Sequence, residues 1–533
     1  MVTNKRSWLW LVVLLGSIGS VTVSAQSFRV QCPTSTITHP VAVNNNSEPP
    51  YTGPTTFAPG SAGYQTPSAK VNGAIKCQQI SGGDGYATMG DGTQTFMFSF
   101  GPLSGLADMA NGLPGTEFPN VFNTTYSGTL MPGDPATTDG LPTNTWPPVN
   151  NLGAFTYNGA VGLAPDLDAI GDGLCTAPCL DGHVDPRQIM DVGVMNGNIP
   201  APLMAIDEDD EYFLTLTNVG MIMRPDLFEQ HTVHFHGYPN ASAFYDGVPD
   251  ASIAINIGGS FTYYYLAPDA GTYFWHCHIT PPEHLQMGMV GQMYVRPRQN
   301  RVASTTTLYA ALQQQELDPR TACNSAADIL CSNPLPAVNT GVTGGGKYAY
   351  NDGDGSTAYD VEYPIQIHGF DPNFHFVGMT FNPEGFTDMK DKYFLLNGRS
   401  YPDTVTPGPM QTQTADGRRH FSQPLPSIIE ITAGQKALLR ISDLDVTEYQ
   451  TLASYGIPMH VVGYNAKLLR DQAGNNMYYY TNSITLAGGE SLDVILDSAG
   501  IPKGIYYLYT PQLDHLSNDA ENFGGLMTEV HVN

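Results

Sequence analysis

The second half of the chain repeats the first, and that repetition restricts the fold more than any other feature. Ile429-Glu430-Ile431-Thr432-Ala433-Gly434-Gln435-Lys436-Ala437-Leu438-Leu439-Arg440-Ile441 has the place and pattern of segment 206–216. Gly488-Gly489-Glu490-Ser491-Leu492-Asp493-Val494-Ile495-Leu496 answers Gly258-Gly259-Ser260-Phe261-Thr262-Tyr263-Tyr264-Tyr265, and Gly504-Ile505-Tyr506-Tyr507 answers Gly271-Thr272-Tyr273-Phe274. Short apolar runs at 211–217, 252–257, 261–265 and 272–275 are separated by turn residues. That is the spacing of an antiparallel β-sandwich, so two such sandwiches are expected in tandem.

The rest of the chain is less regular. Residues 26 to about 85 are rich in Pro, Thr, Ser, Asn and Gly and read as an extended arm; Thr95-Phe96-Met97-Phe98-Ser99-Phe100 alternates as a strand does. Residues 101–185 return to turn-rich punctuation, and 299–355 read as a polar connector with a helix at 306–317. The expected organisation is an N-terminal signal at 1–25, a loop-rich arm and insertion over 26–189, a first sandwich over 190–298, the connector over 299–355, and a second sandwich over 356–533. The signal follows from Lys5-Arg6, an apolar run from Trp8 to about Val23, and small residues ending at Ala25. It implies a secreted, periplasmic or cell-surface protein. A formal net charge of −27 lacks the basic surface that nucleic acid demands.

In an oxidising compartment cysteines pair. Proximity suggests Cys175 with Cys179, Cys323 with Cys331 and Cys32 with Cys77, which leaves one of the seven cysteines, Cys277, alone between His276 and His278. Upstream lies His231-Thr232-Val233-His234-Phe235-His236-Gly237; downstream lie His284, Met287 and Met289. On a strand, alternate side chains share a face, so His234 and His236 converge, as do His276 and His278, while Cys277 points to the opposite side. One short strand thereby serves two metal sites and links them covalently. A thiolate, two imidazoles and a distant thioether form the donor set of an electron-transfer copper site; zinc sites more often draw on paired cysteines.

These blocks resemble the copper signatures of the multicopper oxidase superfamily, which includes laccase-like, bilirubin-oxidase-like and copper nitrite reductase proteins. The resemblance implies an all-β chain of tandem cupredoxin-like Greek-key sandwiches with a loop-rich N-terminal extension. It implies type 1 copper held by His231, Cys277, His284 and Met289, and further copper of type 2, type 3 or both. The catalytic site would be lined by His234, His236, His276, His278 and His460, with His515 as a further metal ligand from the second repeat. The implied activity is a secreted copper-dependent oxidoreductase that passes single electrons from a small-molecule, metal-ion or redox-protein donor to oxygen or another small acceptor.

The second repeat departs from the pattern. Matched by motif, it has Ile457, His460 and Val462 where the first has His231, His234 and His236, and Tyr509-Thr510-Pro511 where the first has His276-Cys277-His278. A full trinuclear cluster in the family uses eight histidines. Here the cluster is incomplete, or His183, His368, His375 or His420 is recruited, or fewer ions are held. Two alternatives follow: a nitrite-reductase-like homo-oligomer, a trimer with sites between subunits, and a non-enzymatic cupredoxin electron carrier.

Overall fold

The computed structural model describes residues 75–102 and 197–533, apart from 209, 222–228, 239–241, 258, 268, 317–333, 379–384, 409 and 414–418. The signal, the bulk of the arm and insertion, and the side chains of all three expected cysteine pairs lie outside the described residues.

The first half is built from β1 (Ile75–Thr88), β2 (Gln94–Pro102), β3 (Met204–Asp207), β4 (Glu211–Gly220), β5 (His234–His236), β6 (Ser260–Leu266), β7 (Gly271–His276) and β8 (Val290–Arg296), with helix α1 (Pro281–Gln286) between β7 and β8. They form two four-stranded sheets, in the orders β2-β1-β4-β6 and β3-β8-β7-β5. Phe96, Phe98, Leu214 and Tyr263 from one sheet meet Phe235, Trp275, Met293 and Val295 from the other in a single buried cluster, the sandwich core.

Two expectations are corrected here. The first strand, β1, starts well inside the presumed arm and pairs parallel with β4, Ile80 opposite Leu216. Its Ser81-Gly82-Gly83-Asp84-Gly85 stretch carries no alternation because glycines there mark close backbone approaches rather than a packed face. Conversely, 252–257 is not a strand. Ala251 and Ser252 donate back to the Val248 carbonyl at 3.0 and 2.8 Å, and this turn leaves a lone bridge between Ile255 and His231.

After helix α2 (Leu308–Glu316), which falls inside the expected helix, and a small pair of strands, β9 (Lys347–Tyr348) and β10 (Ala358–Tyr359), the second half begins. It contains β11 (Val361–Phe370), helix α3 (Pro372–Gly378), β12 (Tyr393–Leu396), the hairpin β13 (Met410–Gln413) and β14 (Arg419–Gln423), β15 (Ile429–Ile431), β16 (Lys436–Asp443), β17 (Gln450–Tyr455) and β18 (Met459–Tyr464). It continues through β19 (Lys467–Leu468), β20 (Tyr479–Thr481), β21 (Ser483–Leu486), β22 (Ser491–Asp497), β23 (Gly504–Tyr509) and β24 (Met527–Val532). One sheet runs β12-β11-β16-β22-β18-β19 with β20 alongside β18; the other runs β15-β24-β23-β17-β21.

Pairing reveals the repeat strand for strand. Parallel β1 and β4 correspond to parallel β11 and β16, antiparallel β4 and β6 to β16 and β22, and parallel β3 and β8 to β15 and β24. Likewise β5, β7 and β8 correspond to β17, β23 and β24. Strands β18 to β21 are additions to the second half.

The halves lock together through buried charge. Arg296 on β8 bonds Glu362 on β11 at 3.1 Å, Glu362 bonds Arg440 on β16 at 2.9 Å, and Arg440 lies 3.5 Å from Asp493 on β22. Thr272 on β7 donates to Asp493 at 2.6 Å, which brings the strand preceding Cys277 against the second half.

Candidate metal centre

Three segments bring a donor set together: His231 ahead of β5, Cys277 directly after β7, and His284 on α1. All three are fully buried, with donor atoms within 4.8 Å of one another. Both rings turn Nδ1 toward the sulfur, His284 at 3.3 Å and His231 at 3.9 Å from Cys277 Sγ. The Thr232 backbone N–H donates to the same sulfur at 3.4 Å. Met287 and Met289 are buried in the cluster that holds Cys277. Met289 is the one tied to both donors: its carbonyl accepts from the Cys277 N–H at 3.2 Å, and its own N–H donates to the His284 carbonyl at 2.9 Å.

The electrostatics suit a metal. Burial, and then the charge of His284, hold His231 well below the usual imidazole range, leaving a neutral ring with a lone pair to give. Burial also opposes charge on His284, but the Cys277 sulfur and Glu229, 3.7 Å from Nε2, outweigh it and lift the ring to about 9. A feature that composition concealed completes the cradle: a Cβ on Gly82 of β1 would sit 2.6 Å from His231 Cδ2, so glycine is what lets the ring seat against the sheet. A soft sulfur with two imidazoles in a dry pocket is a donor set that fits copper.

On the other face of the same strands lies a second group. His234, His236 and His276 also have donor atoms within 4.8 Å of one another. The register explains it: His234 pairs with His276 across β5 and β7, while Phe235 faces Trp275 in the core. His276 donates Nδ1–H to the Cys277 carbonyl at 2.6 Å and His234 donates Nδ1–H to the Asp246 carbonyl at 2.7 Å. Those bonds fix the tautomers and leave Nε2 as the free donor on each ring. His236 Nε2 lies 2.9 Å from His276 Nε2. Burial, with the neighbouring imidazoles, pushes His236 down to about 4; burial, again with the neighbouring imidazoles, outweighs the Cys277 carbonyl bond and pushes His276 down to about 3. These rings are neutral ligands at any ordinary pH.

His278 stands beside them, its ring centroid 5.0 Å from that of His234. His236, His276 and His278 line a cavity of about 540 Å³ between the halves, together with Pro281, Pro282 and Leu285. The far wall, 444–449 and 487–489, comes from the second half and supplies no histidine.

The two second-half candidates do not join this group. Because β17 is the counterpart of β5, with Ala453 opposite Tyr509 as His234 is opposite His276, the positions answering His231, His234 and His236 are Gln450, Ala453 and Tyr455. His460 lies one strand further on, in β18, with its ring stacked on Tyr480 at 4.4 Å. The motif match that aligned Ile457, His460 and Val462 with the histidines is therefore out of place by one strand.

His515 occupies a more telling position. Thr510 N–H donates to the Leu526 carbonyl at 2.9 Å and Leu526 N–H to the His515 carbonyl at 3.0 Å, repeating the bonds from Cys277 to Met289 and from Met289 to His284. Gln450, Thr510, His515 and Leu526 thus stand where His231, Cys277, His284 and Met289 stand in the first half. His515 stacks on Phe394 at 3.7 Å, bonds Gln450 at 2.9 Å through Nδ1, and has Nε2 3.4 Å from Glu448. Within the chain it is the second half's counterpart of His284 and stands apart from the His234, His236 and His276 group.

Of the other histidines, His375 bonds the Phe96 and Gln286 carbonyls across the halves at 2.5 and 2.9 Å, and His368 bonds the Leu444 carbonyl within the second half at 3.2 Å. His183 and the side chain of His420 lie outside the described residues.

Comparison with known proteins bears on the same segment. Residues 181–300 match the family model of multicopper oxidases. Laccase abr2 of Aspergillus fumigatus is 34% identical over 109 residues, 20% of this chain and 17% of that protein. The copper-containing nitrite reductase of Rhizobium meliloti is also 34% identical over 109 residues, 20% of this chain and 26% of that protein. The chain thus spans less than a third of the length of these curated relatives. Among solved structures it is similar to the blue copper oxidase of Nitrosomonas europaea, at 22% identity and a TM-score of 0.42 over 63% of this chain and 78% of that one. Segment 181–300, which contains both candidate metal-binding groups, is thus the part of the chain that is similar to multicopper oxidases.

Proposed function

We propose that this chain is an exported copper-dependent oxidoreductase that takes single electrons from a donor at the His231, Cys277, His284 and Met289 site. They are delivered to the histidine-lined pocket, where dioxygen is reduced. One observation carries the reading: Cys277 belongs to one donor set while its peptide neighbour His276 belongs to the other. Copper supplies the one-electron couple at each site. The protein's part is to keep the first site dry, to hold neutral imidazoles with Nε2 directed inward at the second, and to join the two by a single peptide bond. The cavity of about 540 Å³ admits a small acceptor.

Oxygen uptake by the copper-loaded chain with phenolic and metal-ion donors tests this reading. Uptake that vanishes in His236→Ala, while the blue chromophore persists, supports it; absence of uptake with every donor that bleaches the chromophore defeats it.

The second reading, a nitrite reductase, is favoured by the three-histidine group, which suits a single ion better than a cluster. Anaerobic nitrite turnover with a competent donor decides it.

A further inference from the structure

Asp445, in the far wall of the pocket, lies beside a second buried carboxyl group, Asp391, and the proposed electron path uses neither. Asp445 and Asp391 are 4% and 7% exposed. Both aim an oxygen at Gly369 of β11: a Cβ there would meet Asp391 Oδ2 at 2.2 Å and Asp445 Oδ2 at 2.4 Å, so glycine is what lets two carboxyl groups meet. The two Oδ2 atoms therefore converge on one spot above Gly369, close enough for the carboxyl groups to share a proton. Thr447, in the pocket wall with Asp445, bonds both: its hydroxyl lies 2.9 Å from Asp445 Oδ1 and also contacts Asp391 Oδ2.

Each remaining oxygen is held. Gln286 donates to Asp391 Oδ1 at 2.9 Å, and Gln450 donates to Asp445 Oδ2 at 2.6 Å. Gln450 is in turn anchored by His515, so the second half's counterparts of His231 and His284 support Asp445.

We propose that the Asp391–Asp445 pair holds one proton between its carboxyl groups and passes it, through the Thr447 hydroxyl, to the acceptor in the histidine-lined pocket. The inference rests on the oxidase reading. Reducing one dioxygen to two waters takes four electrons, from four one-electron donor molecules, and four protons. Each proton leaves the pair as the Thr447 hydroxyl hands its own proton toward the acceptor oxygen, and the pair is reprotonated from solvent hydronium by way of pocket water between electron arrivals. Two like charges at this separation cannot both persist in a buried site. Accordingly, burial and then the Asp445 charge push Asp391 well above the usual carboxylate range. The charged or titratable neighbours are His368 from β11, Asp443 from β16, with Glu490 acting on Asp443, and Glu448 with His515 at the rim.

Infrared spectroscopy of the full chain at pH 7 reads the shared proton whether or not the protein turns over, so this inference and the oxidase reading fail separately. A protonated-carboxyl C=O stretch that shifts in heavy water and disappears in Asp391→Asn is expected; its absence from the wild type overturns the proposal. Thr447→Val keeps the band and the copper content. It is expected to lower oxygen turnover roughly a hundredfold with a larger solvent isotope effect, while anaerobic bleaching of the blue chromophore keeps its rate. Turnover within about twofold of wild type, with the isotope effect unchanged, overturns it.

Discussion

His515 Nδ1 donates to Gln450 Oε1 at 2.9 Å, and these residues stand in the second half where His284 and His231 flank Cys277 in the first. A hydrogen bond stands where the first half has two proposed copper ligands, and the frame is the same: the backbone bonds run from Thr510 to Leu526 and from Leu526 to His515. The frame is therefore expected to accept metal. The triple variant Gln450→His, Thr510→Cys, Leu526→Met should bind one more copper per chain and gain blue absorbance. Metal analysis with the visible spectrum checks this; an unchanged copper count contradicts the equivalence.

Gly82→Ala tests the cradle around His231. The added Cβ would lie 2.6 Å from the ring, so ring or strand must shift. Overpacking of this kind costs about 1–3 kcal/mol. Denaturant unfolding should register that loss, and the blue band should move in the copper-loaded variant.

The Arg296–Glu362–Arg440 network makes the union of the halves pH-dependent. Burial opposes the charge on Glu362, but Arg440 and Arg296 outweigh it and hold the carboxyl below its ordinary range. Its stabilisation is complete above the unfolded carboxylate value of about 4.3 and is lost as pH falls through the lower folded value. Glu362→Gln leaves two buried guanidinium groups without their shared partner and should cost about 3–5 kcal/mol at neutral pH. It should also flatten the acid limb of the stability curve, as thermal melts across pH will show.

His460, stacked on Tyr480 in β18, stands outside both donor groups. His460→Ala is expected to retain the full copper content, whereas His236→Ala loses the copper of the pocket. Equal losses in the two variants would restore His460 to the site.

The histidine and cysteine spacing was readable because a strand has a period of two: His234 and His236 on one side, Cys277 and its neighbouring histidines on two. Tandem repetition was readable for the same reason, from apolar runs and Gly-rich turns. Other features rest on pairing, which a linear pattern does not carry. β1 reads as loop because its glycines serve close contacts to His231 and other backbone. His460 sits in a motif-like stretch, yet β18 is an addition and β17 holds the equivalent place. The Asp391–Asp445 pair joins residues from separate strand connections across Gly369 and has no local signature.

The central claim is that one strand joins two copper sites and that the second passes electrons to oxygen. Copper per chain, with visible and EPR spectra followed through anaerobic reduction and readmission of oxygen, tests it most directly. The account predicts two or more copper ions per chain, a blue type 1 signal with a second distinct copper signal, and reoxidation of both by oxygen. A single copper per chain that stays reduced in oxygen would contradict it.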